Sequence, residues 1–151
     1  MIAARIRSTR AGSAEQFGQA VVELALVLPV LLLLTLAVLG IDRVTQAHMA
    51  ARAIAWEAAR AAALASSANG AAAQGAAEGM AVAEDYHLQR SALHVTVDAS
   101  QFRRGGQVSA AVRYDVSLAD LPLLGRATVR VGSDHTEPVD PYRSGLRGDA
   151  S

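Results

Sequence analysis

The sequence predicts an α+β protein in which a long N-terminal helix, apolar enough in its first part to cross a membrane, continues outward and packs on a small antiparallel sheet of about three strands. Three features predict it. No charged residue occurs from Leu24 to Ile41, the following stretch keeps helical spacing, and from Leu93 onward the apolar residues switch to a period of two. Length and composition agree. The 151 residues suit one small domain, and 52% hydrophobic content with only 4% aromatic residues means that apolar side chains are concentrated in one place. Fourteen arginines balance 14 acidic residues, which removes the basic surplus that nucleic-acid binding requires. With no cysteine there is no disulfide framework, thiolate metal site or cysteine nucleophile.

The run LALVLPVLLLLTLAVLGI, with Ala20, Val21 and Val22 near its start, reaches the roughly 20 residues that cross about 30 Å of hydrocarbon as a helix. A core helix of a soluble domain is usually shorter and shows a polar face. Pro29 and Gly40 are candidate bend points, because proline removes a helical hydrogen bond and glycine lowers helix propensity. Ahead of the run, Arg5, Arg7, Arg10 and the chain-start amine stand against Glu15, a bias that keeps this end in the cytoplasm and the C-terminal part outside. An ordinary secretory signal also has a basic leader and an apolar run. This run is long for such a signal, and Asp42, Arg43 and Val44 follow it in place of a small-residue cleavage site.

Glu23 is the one ionisable group within this stretch. A carboxylate costs about 2–3 kcal/mol at the centre of a bilayer helix and less near an end. Two readings follow: the group lies at the interface and snorkels or takes up a proton, or a cation from another chain neutralises it.

Gly18, Gln19, Ala20, Val21, Val22 and Glu23, standing between a basic leader and the apolar helix, resemble the class III signal of type IV pilins. More narrowly, the stretch from Gly18 through the proline-containing helix to Ala58, Ala59 and Arg60 is similar to the TadE-like family, pilin-like proteins of the tight-adherence (Flp, type IVc) pilus system. The likeness covers about the first 65 residues. It implies a processing site at Gly18 and Gln19, where a prepilin peptidase cuts on the cytoplasmic side. It also implies a new amine at Gln19, and a role for Glu23 in setting register by pairing with that amine on a neighbouring subunit. The sequence departs from major type IV pilins in having Gln19 where phenylalanine commonly stands. The implied partners are the lipid bilayer, the peptidase, other pilin subunits and pilus assembly proteins. The implied location is the cytoplasmic membrane as a single-pass protein, with later entry into a surface pilus.

Past Ile41, Val44, Ala47, Ala51, Ile54, Ala58 and Ala62 form one stripe, so the helix is expected to run from Gln19 to about Ser66, about 70 Å at 1.5 Å per residue. Trp56 lies too far beyond Ile41 for a membrane belt and is expected under the outer domain, with Arg52 and Arg60, one turn either side, stacking on its ring or, the preferred reading, remaining in solvent. Ser66 to Gly75 reads as a break, and Ala76 to Gln89 as a weaker helix. Leu93, Val95 and Val97 form one strand, the alternation from Val108 to Leu118 a second, and Ala127, Val129 and Val131 a third. The turn QFRRGGQ is expected to use positive φ at Gly105 and Gly106. The sequence after His135 reads as a mobile tail. The resulting organisation is a leader at 1–18, a membrane helix at 19–41, an outer α+β domain at 42–137 and a tail at 138–151.

Catalytic chemistry finds little footing. His48, His87, His94 and His135 are scattered, and Asp98, Asp115 and Asp120 read as solvated carboxylates. The basic turn Arg103, Arg104, Gly105 and Gly106 is followed by a strand, where a phosphate loop needs a helix. No catalytic residues, cofactor, metal or small-molecule substrate are expected. The rivals to a pilin-like subunit are a permanently anchored single-span protein presenting a small exported interaction domain and a membrane-bound enzyme, which would need clustered polar groups in the outer domain.

Overall fold

The computed structural model describes residues 8–122 and 125–142, with side chains from residue 18 onward. The chain divides into two units, Met1–Leu39 and Gly40–Ser151. Helix α1 spans Ser8–Ala63 and α2 Ala68–Asp85; after a short 3-10 turn come β1 (Leu93–Asp98), β2 (Gln107–Ser117) and β3 (Thr128–Pro138). The α+β class, the long apolar helix and the three-stranded sheet are as the sequence predicts.

In the first unit α1 is already helical from Ser8, ahead of the expected start at Gln19, and Gly18 and Gln19 lie inside it. Pro29 also lies inside the helix. The remainder of the expected leader, residues 1–7, falls outside the described residues.

The second unit is built from small side chains. Ala51, Ile54, Ala55, Ala58 and Ala59 of α1 are fully buried and meet Leu93, Ala110 and Val112 of the sheet. Helix α2 begins at Ala68, where the sequence suggested a break reaching Gly75. Ser67 caps it, its Oγ accepting from the Gly70 N–H at 3.2 Å. The glycines inside the helix have a packing reason. Ala71, Gly75, Gly79 and Ala83, four residues apart, are its buried stripe, and a Cβ on Gly75 would stand 2.6 Å from the Ala58 carbonyl oxygen of α1. The two helix backbones therefore approach more closely than alanine allows. The C-terminus of α2 closes as a Schellman turn: His87, at φ 55°, donates its N–H to the Glu84 carbonyl, and Leu88 donates to that of Ala83.

The sheet order is β1-β2-β3, antiparallel throughout. Leu93 pairs with Tyr114, Val112 with Ser133 and Val116 with Val129, so one face carries the apolar row toward the helices. Only Gly105 of the turn has positive φ, 67°. Gly106 is needed for space instead, since a Cβ there would meet the Gln101 carbonyl oxygen at 2.1 Å. The ordered chain also passes the expected start of the tail. Strand β3 runs to Pro138, and Val139 is fully buried, its N–H donating to the Gly106 carbonyl at 2.9 Å. Residues 143–151 of the expected tail lie outside the described residues.

Trp56 is 42% exposed, not buried under the domain. It lies two residues from both Ile54 and Ala58, about 200° around the helix from each, and so faces away from their stripe. The Arg60 guanidinium, expected in solvent, sits 5.2 Å from its ring centroid.

Gly75→Ala separates packing from propensity. Propensity alone would add about 1 kcal/mol of stability; the clash with Ala58 predicts instead a loss of about 1–3 kcal/mol, read by denaturant unfolding of the full chain.

Candidate membrane and assembly surface

Residues 18–39 of α1 are exposed apart from Leu36. From Val21 to Ile41 fourteen large apolar side chains are exposed, Leu26 at 70% and Val21 at 64% among them. Keeping them in water forfeits about 20–40 kcal/mol of burial, at about 1.5–3 kcal/mol each. That exceeds the whole net stability of an ordinary domain, so the segment needs a non-aqueous neighbour. This is a helix near the N-terminus that is long and apolar enough to cross a membrane.

The residues singled out at its start share one short stretch of helix. Gly18 has open space around its Cα, and Gln19 and Glu23, four apart, lie one turn from each other on one side. Among the described residues no side-chain hydrogen bond or ion pair reaches the Glu23 carboxylate, which is exposed. Gly40 is buried in the second unit, with Leu121 in ordinary contact range of a Cβ there.

The other polar residues fall into separate structural pairs. On the outer sheet face Arg130 donates to Asp115 at 2.7 and 3.0 Å, and Arg113 to Asp134 at 3.1 and 3.4 Å. Asp98 accepts from the Ser100 N–H at 2.9 Å. His48 and His94 are exposed, His87 forms the turn after α2, and His135 Nε2 lies 3.1 Å from Glu137 Oε2. One pair was invisible to sequence reading: Arg43 and Asp120, 77 residues apart, meet at 2.6 Å. Opposite charges at such a separation carry no local pattern, and only the packing of the β2–β3 connection near α1 brings them together.

Among the described residues, the fold and this surface define an α+β protein with one N-terminal helix long and apolar enough to cross a membrane. Residues 18–64, about a third of the chain, match the family model described as TadE-like protein, the family whose pattern the sequence resembles. No curated protein and no solved structure matches the chain.

The hydrogen bonds from Arg130 hold the Asp115 carboxyl below the ordinary carboxylate range, and those from Arg43 do the same for Asp120. A depressed folded-state pKa contributes stability that is present above the unfolded value and lost as pH falls through the folded one. Stability of the second unit should therefore decline on acidification below the ordinary carboxylate range. Asp115→Asn should flatten that decline in thermal unfolding recorded against pH.

Proposed function

We propose that the protein is a minor pilin or pseudopilin of a tight-adherence (Flp, type IVc) pilus, cleaved after Gly18 by a prepilin peptidase and working by assembly, without catalysis or cofactor. The observation that carries this reading is where the family match starts. It begins at Gly18 and runs through Glu23, the apolar helix and the alanine-rich continuation, the part of the chain that a mature subunit would lead with.

In this reading the chain inserts with its N-terminus inside and its α+β domain outside, held by residues 19–41. Cleavage removes a leader containing Arg5, Arg7 and Arg10 and exposes an amine at Gln19. That amine on one subunit neutralises Glu23 on the next. A carboxylate in a low-dielectric setting is costly alone and directional when paired, so the pair sets the stagger between adjacent helices. The helix then exchanges lipid for the apolar helices of neighbouring subunits.

One observation favours the permanently anchored alternative. The bond between Gly18 and Gln19 lies within α1, and a protease needs extended backbone. Glycine answers this in part, since it weakens a helix interior by about 1 kcal/mol relative to alanine. Cleavage requires local unwinding around Gly18.

Glu23→Ala tests the assembly role. The variant should insert in the membrane as well as the parent chain, because it removes an apolar-phase charge, and it should be lost from sheared pilus fractions. Incorporation at the parent level would refute the register role.

A further inference from the structure

A cleft of about 490 Å³ opens in the second unit where α1, the end of α2 and the end of β2 converge. Its volume is within the range of small-ligand sites. Ala47, Ala50, Leu88 and Val116 give it an apolar floor, and the Arg43–Asp120 pair, Tyr86 and Tyr114 stand among its polar lining. Arg43 and Asp120 expose 40% and 65% of their side chains and Tyr86 is 49% exposed, so all three are open to a ligand.

Helix geometry gives the cleft a depth. The charge-free run ends at Ile41, and Arg43 follows two residues later, about 3 Å along a helix axis. When the run crosses a bilayer, the first 5–8 Å or so beyond the hydrocarbon is the headgroup layer, where tyrosine is a favoured residue. Arg43, which lines the cleft, then falls within that headgroup layer.

We infer that this cleft seats one zwitterionic phospholipid headgroup of the phosphoethanolamine type; the inference rests on the membrane-spanning reading of α1. The lining is neutral overall but polarised, with a guanidinium and a carboxylate side by side. Only one hydrogen bond is spent between them, which leaves donors on Arg43 for a phosphate and acceptor capacity on Asp120 for an ammonium. The Tyr86 ring offers the same ammonium a π face. An anionic headgroup without a cation would bring its charge against Asp120. A quaternary ammonium has no N–H to donate to that carboxylate. The glycerol region rests on Ala47, Ala50 and Val116.

The test is native mass spectrometry of the full chain in mild detergent, titrated separately with phosphatidylethanolamine, phosphatidylcholine and phosphatidylglycerol. One phosphatidylethanolamine should be retained, with affinity about tenfold above the other two, and both Arg43→Gln and Tyr86→Ala should lower it about tenfold. Tyr86 is exposed, so its variant should keep the parent unfolding temperature and separate lost binding from lost folding. Equal retention of the three lipids, or retention unchanged in both variants, would overturn the inference. Binding of soluble phosphoethanolamine as tight as that of the lipid would also overturn it, since the apolar floor would then contribute nothing. Carbonate extraction of membranes runs alongside. A chain that is extracted refutes the membrane reading, whereas a chain that stays in the membrane yet shows no lipid preference refutes this inference alone.

Discussion

An apolar helix segment with one carboxylate near its start imposes two demands on everything attached to it. The large side chains from Val21 to Ile41 need a neighbour other than water, and among the described residues no side chain pairs with the Glu23 carboxylate. Lipid meets the first demand and not the second. The proposed assembly of like helices, each bringing a cation to the level of the next carboxylate, would meet both. The same segment thus suits residence in a membrane and transfer to a helical bundle, because lipid tails and leucine side chains are about equally apolar.

The composition of α1 changes along its length for a physical reason. From Leu24 to Leu39 its faces carry leucine and valine, which fill space against lipid or other helices. From Ala47 to Ala63 the buried positions are almost all alanine. Alanine lets backbones come close, and α2 reciprocates with Gly75 and Gly79, so a thin domain with few aromatic residues still packs without large side chains. Ile54, Val108, Val112 and Val139 are the largest of its fully buried residues.

Much of this was legible in the sequence because it is local. Alternation fixed β1 and β2, and the charge-free run marked the apolar helix. Gly18, Gln19 and Glu23 carry their pattern within six residues. What escaped depended on contacts between distant segments. The start of α2 looks like a break because serine, asparagine and glycine usually end helices, and only the closeness of the Ala58 carbonyl explains why glycine stands at position 75. Distance from Ile41 removes Trp56 from a membrane belt and suggests the interior, while its angular position on α1 faces it outward. Gly106 was read as a positive-φ residue when the Gln101 carbonyl is what excludes a side chain. Pro138 and Val139 read as tail because proline and charge surround them, yet backbone bonds with Gly105 and Gly106 tie Val139 into the sheet.

The exposed carboxylate of Glu23 acquires its proposed purpose only when a positive terminus exists at the same level of a neighbouring helix. The mass of the chain isolated from cell envelopes decides whether that terminus is made. An intact mass and N-terminal peptide beginning at Gln19 are the predicted result; a chain that still begins at Met1 in cells carrying assembled pili would contradict the account.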